Sequence, residues 1–230
     1  ANPMTMEFGY GFFKASATDG CQNNTIKNCV ITLSRNNNAG GTTPATDGSR
    51  GIDVVNALTG THTTPVTVTL SGGSNSNNIF SLNTIQNCNI GIALIGFGAS
   101  SPFTLADMNN DVTGNTIINY GGATAATNPA AGVRTLNQYN INVSNNVINS
   151  NNGGGVNHAS TLRGIYLNTA TSANASILNN TVTVNSGATT SQLVGIENAS
   201  GATAASNTIN IIGNHVVNCT YTTALTSASF

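Results

Sequence analysis

Charge is what this chain has least of. Six Lys and Arg and seven Asp and Glu occur among 230 residues, and the formal net charge is −1. So few cations cannot form a basic stripe, which excludes a nucleic-acid partner and a polybasic lipid contact. No acidic tail is present either. The longest apolar run, residues 90–97, is strand-sized, whereas a membrane-spanning helix needs roughly 18 apolar residues. No membrane span is therefore expected. The start, Ala1-Asn2-Pro3-Met4, has neither a basic n-region nor an apolar h-region, so it does not read as a signal peptide. Cys-x-x-Cys and His-x-x-x-His spacings are absent, which excludes the common zinc patterns. Gly-x-x-x-x-Gly-Lys, Gly-x-Ser-x-Gly and His-Glu-x-x-His are absent as well.

What the chain has instead is asparagine, 38 residues or roughly a sixth of the total, beside abundant Thr, Ser and Gly. A polar, nearly uncharged chain invites a reading as disorder. Regularly spaced Ile and Val argue against it, because they supply a periodic apolar face. Two short phrases alternate along the chain. The first, Asn-x-[Ile/Val], occurs at Asn24-Thr25-Ile26, Asn83-Thr84-Ile85, Asn115-Thr116-Ile117, Asn145-Asn146-Val147, Asn180-Thr181-Val182 and Asn214-His215-Val216. The second, Gly-[Ile/Val], occurs at Gly51-Ile52, Gly91-Ile92, Gly132-Val133, Gly164-Ile165 and Gly195-Ile196, with Thr223-Ala224-Leu225 as a degenerate last copy. Fixed alternation of strand phrases predicts an all-β repeat architecture.

Side chains alternate along a strand, so the Ile or Val of each phrase is expected to point inward and its neighbours outward. This gives one inward ladder of Ile26, Ile85, Ile117, Val147, Val182 and Val216, and a second of Ile52, Ile92, Val133, Ile165, Ile196 and Ala224. A third strand family is expected at residues 66–70, 141–143 and 175–178. The Asn at the corners would bend the chain, since Asn tolerates left-handed backbone, and would stack into hydrogen-bonded ladders. Four insertions, at about 34–49, 120–131, 150–162 and 185–194, recur at one corner. Two more, at about 56–78 and 96–113, leave the opposite connection.

Gly-Ile-x-Leu, a polar loop, then Asn-x-Ile-x-Asn resembles the repeat of right-handed parallel β-helices of the pectin-lyase-like kind. Arg163-Gly164-Ile165-Tyr166-Leu167 followed by Leu178-Asn179-Asn180-Thr181-Val182 is the clearest copy, and the likeness spans about residues 20–225. The resemblance implies a solenoid of about six coils with three strands each. Residues 1–20 would be a lead-in or the end of a preceding coil, and residues 21–230 the β-helix. Neither end reads as a polar cap, so the β-helix is expected to be a segment of a longer chain, its ends meeting further domains or neighbouring chains. The same repeat occurs in polysaccharide lyases and hydrolases, adhesins, phage tailspikes and carbohydrate-binding modules, so the likeness speaks to fold and not to function.

Enzymes of that fold cluster their acids: lyases for calcium, beside an Arg or Lys base, and hydrolases as two or three Asp. Here the acids are Glu7, Asp19, Asp47, Asp53, Asp107, Asp111 and Glu197, with no adjacent pair. Asp107 and Asp111 in one insertion form a weak calcium candidate; no other cofactor is expected. The residues after the second-phrase Ile or Val form an outward column, Asp53, Ala93, Arg134, Tyr166 and Glu197, and Arg163 lies on the strand of Tyr166. Two readings of it are open. In one, Tyr166 stacks on a sugar while Arg134, Glu197 and Asp53 bond its hydroxyls. In the other, Arg134 covers Tyr166 and pairs weakly with Glu197 on a solvated surface. His62, His158 and His215 share no repeat position and suggest no metal or acid–base role. Cys21, Cys29, Cys88 and Cys219 are buried thiols at coil corners or, alternatively, form a Cys29–Cys88 or Cys21–Cys29 disulfide. The preferred expectation is a non-catalytic segment of an exported or cell-surface bacterial protein, acting extracellularly as a stalk, an adhesin or a glycan-contacting surface. The alternative is a polysaccharide lyase or glycoside hydrolase.

Overall fold

A computed structural model describes residues 8–35, 48–61, 64–123, 129–153, 157–168, 173–187, 191–200 and 207–221. Three six-stranded sheets account for most of it, and every pairing in them is parallel. Sheet I comprises Phe8–Lys14, Arg50–Leu58, Ile90–Ile95, Ala130–Leu136, Leu162–Leu167 and Leu193–Asn198, in that spatial order. Sheet II comprises Thr25–Lys27, Ile79–Ser81, Asp111–Thr113, Ile141–Ser144, Ala175–Leu178 and Ile209–Ile212. Sheet III comprises Val30–Thr32, Thr84–Gln86, Thr116–Ile118, Val147–Asn149, Thr181–Thr183 and His215–Val216. The chain passes from I to II to III six times, so like strands stack on like, an arrangement consistent with a parallel β-helix. Two small parallel pairs, Asp107–Met108 with Gln138–Tyr139 and Asn185–Ser186 with Thr220–Tyr221, lie beside them. Among the described residues the only helical element is the single turn Ser71–Gly73, and no helix is long and apolar enough to cross a membrane.

Three aliphatic columns fill the interior. Ile52, Ile92, Val133 and Ile165 of sheet I are fully buried, as the second phrase predicts; Ile196 is partly buried and Ala224 lies outside the described residues. The first-phrase ladder needs two corrections. Ile26 belongs to sheet II, paired in register with Phe80, and Ile31 takes the place beside Ile85 in sheet III. The first circuit carries two adjacent three-residue strands, and Asn28-Cys29-Val30, leading into the later one, fits the same phrase as Asn24-Thr25-Ile26. The second correction is a one-residue slip. Ile148, not Val147, pairs with Ile117 and is buried, whereas Val147 is 48% exposed. Because a strand alternates, a slip by one exchanges its faces. The column therefore runs Ile31, Ile85, Ile117, Ile148, Val182 to Val216, and Val216, in the last circuit, is half exposed. The third family also differs. Residues 66–70 form no strand, and sheet II is supplied in those circuits by Ile79–Ser81 and Asp111–Thr113.

The two phrases are coupled physically. An added Cβ at Gly51, Gly91, Gly132 or Gly164 would overlap the side chain of Ile85, Ile117, Ile148 or Val182, in that order. Glycine lets sheet I close against the inward column of sheet III. Part of the expected lead-in joins this seam: Phe8–Lys14 is the first strand of sheet I, with Gly9 at the glycine position.

Asparagine holds the corners in two roles. A left-handed residue follows each sheet II strand: Asn28, Leu82, Gly114, Asn145, Asn179 and Gly213 have φ between 55° and 70°. The next residue is Cys29 in the first circuit, then Asn83, Asn115, Asn146, Asn180 and Asn214. These five stack. Asn83 Nδ2 donates to Asn115 Oδ1 at 3.0 Å, Asn115 Nδ2 to Asn146 Oδ1 at 3.0 Å, Asn146 to Asn180 at 2.9 Å, and Asn180 to Asn214 at 2.8 Å. Each amide also donates to a backbone carbonyl one circuit back, as Asn115 does to Phe80 at 2.8 Å. A shorter ladder, Asn24 to Asn78 to Asn110 to Gln138, precedes sheet II.

The four insertions expected at one corner all connect sheet III to sheet I. Their central parts, residues 36–47, 124–128, 154–156 and 188–190, lie outside the described residues. All four cysteines are free, so neither disulfide alternative is present; Cys88 is buried and Cys219 exposed.

Candidate functional site

The column of residues after the sheet I Ile or Val stacks as read from the sequence. Asp53 pairs with Ala93, Ala93 with Arg134, Arg134 with Tyr166, and Tyr166 with Glu197. Their roles differ from either reading made from the sequence. Asp53 is fully buried, its Oδ2 held 3.0 Å from Nη1 of Arg50, so it supports the sheet and does not face solvent. Glu197 is engaged by Arg163: Nε donates to Oε2, and Nη2 lies 3.4 Å from Oε1. The same guanidinium sits 4.0 Å from the centre of the Tyr166 ring, a cation–π contact. It is Arg163, then, and not Arg134, that covers Tyr166 and pairs with Glu197. The Tyr166 hydroxyl donates to Oδ1 of Asn168 at 2.6 Å.

Arg163 shares the face of Tyr166 because alternation resets at Gly164. Leu162 is buried, Arg163 partly exposed, Gly164 and Ile165 both buried, and Tyr166 partly exposed. Strict alternation through Ile165 would have turned Arg163 inward. The signal that finds it is the glycine itself, which lets two successive residues face the core.

Beside this group lies a pocket of about 420 Å³, bounded by Arg134, Arg163, Tyr166, Asn168, Ser160 and Thr161, with Ala131 and Pro129 among its apolar walls. Its volume falls in the range of small-ligand sites. None of the residues lining it is acidic. Ser160, Thr161 and Asn168 come from the ends of the strand Leu162–Leu167 and were not picked out from the sequence. Arg134 is 7% exposed, and its Nε and Nη1 make no hydrogen bond. Burial, reinforced by the nearby Arg50, lowers its pKa to about 10, so it stays charged at neutral pH.

The calcium candidate dissolves into two unrelated carboxylates. Asp107 is fully buried in one of the small sheets, 3.5 Å from Nζ of Lys14, and accepts from the backbone N–H of Asn75 at 2.9 Å. Asp111 lies in sheet II, where the Thr113 hydroxyl and Asn142 Nδ2 donate to it. No cluster of three or more His, Cys, Asp or Glu able to hold a metal occurs among the described residues. His158 is buried, its Nδ1 accepting from the backbone N–H of Gly122 and Ala123; His215 is exposed and His62 lies outside the described residues.

No protein-family model, no curated protein and no solved structure matches the chain.

Proposed function

We propose that this chain is a right-handed parallel β-helix of the solenoid kind, a non-catalytic segment of an exported or cell-surface protein whose sheet I face contacts glycans. The observation that carries the reading is the pocket at Arg134, Arg163, Tyr166 and Asn168, an aromatic ring and several amide, hydroxyl and guanidinium donors around about 420 Å³. Tyrosine offers an apolar surface to the C–H face of a sugar, and the polar groups suit its hydroxyls. The face also argues against hydrolysis. Glycoside hydrolysis normally sets two carboxyl groups roughly 5–10 Å apart across the scissile bond, whereas here Asp53 is buried against Arg50 and Glu197 is held by Arg163. A single weak site gains useful avidity when many copies are displayed together.

A glycan array probed with wild type and Tyr166→Ala, both presented multivalently, tests this. Binding by wild type that is lost in Tyr166→Ala is expected. Equal binding by both, or none by either, leaves the face as solvated surface and the segment as a stalk. One observation favours a second reading, a polysaccharide lyase: Arg134 is buried beside the pocket with its pKa lowered to about 10, toward the range where a guanidine can accept a proton at alkaline pH. Release of unsaturated products from polyuronates, abolished in Arg134→Gln, would establish it.

A further inference from the structure

We propose that the side chains of Lys14 and Asp107 become joined by an amide bond, a cross-link that the folded chain makes by itself and that ties its first circuit to its third. The bond is independent of what the sheet I face contacts. Three ion pairs occur among the described residues. Arg163 and Glu197 are open to water. In the pair of Arg50 and Asp53 the cation is a guanidinium, which stays protonated and does not attack a carboxyl carbon. Lys14 and Asp107 alone set a primary amine beside a carboxyl with both side chains wholly shut off from solvent. Lys14 ends the strand Phe8–Lys14, and Asp107, 93 positions later, begins Asp107–Met108. The chain's other lysine, Lys27, is exposed.

The geometry suits condensation. Nζ of Lys14 lies 3.5 Å from Oδ1 of Asp107, long for a charge-assisted hydrogen bond and close enough to approach the carbon that bears that oxygen. Nζ also donates to the carbonyl of Gly73 at 2.5 Å, which fixes the amine in place. The backbone N–H of Asn75 donates to Oδ1 at 2.9 Å, the oxygen on which negative charge collects when nitrogen adds to Cγ. Burial lowers the pKa of Lys14 and raises that of Asp107 to about 6, and both shifts favour the uncharged amine and the uncharged carboxyl. The step balances with no added reagent. The lone pair of Nζ forms the Nζ–Cγ bond, the Cγ–Oδ2 bond breaks, and Oδ2 leaves as water with its own proton and one from the amine. Folding supplies the proximity that would otherwise need chemical activation. The reaction follows folding, so newly folded chain still holds the free pair, and only that unjoined form titrates at Asp107. Once made, the bond closes the intervening chain into a covalent loop and restricts the unfolded state.

The test is intact-mass spectrometry of the whole chain, newly refolded and after prolonged incubation at neutral pH. Wild type should lose the mass of one water with time. Lys14→Arg, which keeps the cation and removes the nucleophile, should hold its full mass. Proteolysis of incubated wild type should release one branched peptide carrying both Lys14 and Asp107, a reading that decides even where Lys14→Arg folds poorly. Incubated wild type should also melt at a higher temperature than newly refolded wild type, with no such gain in Lys14→Arg. Full mass in incubated wild type overturns the proposal. Asp-Gly sequences, here Asp19-Gly20 and Asp47-Gly48, can also lose water by closing to a succinimide. A water loss that persists in Lys14→Arg, or that maps to either of those sites with no branched peptide, therefore overturns it as well.

Discussion

At the corner between sheets II and III, Asn83, Asn115, Asn146, Asn180 and Asn214 stack circuit upon circuit. On the outer face of sheet I, Asp53, Ala93, Arg134, Tyr166 and Glu197 stack in the same way. The corner is made of identical neutral groups, each donating along the column and back to a carbonyl. The face is made of unlike groups, its two carboxylates are paired with arginines from other positions, and Nε and Nη1 of Arg134 make no hydrogen bond. Repetition with full satisfaction is what a scaffold needs. Irregularity with hydrogen-bond donors left open, beside a pocket, is what recognition uses. The scarcity of charge sharpens the contrast: of thirteen charged residues, Lys14, Arg50, Asp53, Asp107 and Arg134 are buried, so the few charges present are placed and not merely solvated.

Breaking the corner should cost most. Asn115→Ala strips the acceptor from the backbone and side-chain amides of Asn83 and the donor from the carbonyl of Phe80. Buried groups left unmade cost about 1–3 kcal/mol each, so a loss of about 3–5 kcal/mol is expected by denaturant unfolding. A loss below about 1 kcal/mol would show that the ladder is not what holds the corner.

The buried pair of Lys14 and Asp107 tests whether satisfaction extends to charge. Burial raises the Asp107 pKa to about 6, with the Lys14 ammonium only partly opposing it, and burial also lowers that of Lys14. The sign follows from linkage. A carboxyl whose folded pKa lies above its unfolded value near 3.8 holds its proton more tightly when folded. Its contribution to stability is therefore full below about pH 4 and lost as pH rises to about 6, by an amount of order 3 kcal/mol. Stability measured at several pH values should show this loss in wild type relative to Asp107→Asn. Parallel profiles for the two proteins would refute it.

The smallest effect is expected at the face. Arg134→Met removes a buried cation whose Nε and Nη1 make no hydrogen bond, and keeps most of its volume. Stability should stay level or rise by about 1 kcal/mol. A large loss of stability would mean that Arg134 serves the scaffold like the asparagines. Gly132→Ala offers the opposite comparison, since its Cβ would meet Ile148 and the backbone of Gly164.

The sequence alone determined the repeat. Hydrophobic residues at fixed offsets from Asn and Gly forced parallel stacking of like strands, because only like-on-like pairing buries those columns continuously. It also placed Arg134, Tyr166 and Glu197 in one line, since stacking in register brings equivalent positions together. What it left open were matters of one residue and of side-chain reach. Asn145 and Asn146 both satisfy the phrase, and only the ladder bond from Asn115 to Asn146 selects which one sets the register and hence that Ile148 is inside. Gly164 resets the alternation and turns Arg163 onto the face. Which arginine pairs with Glu197, and which lines the pocket instead, depends on where flexible side chains end, and that is decided only by the packed structure around them.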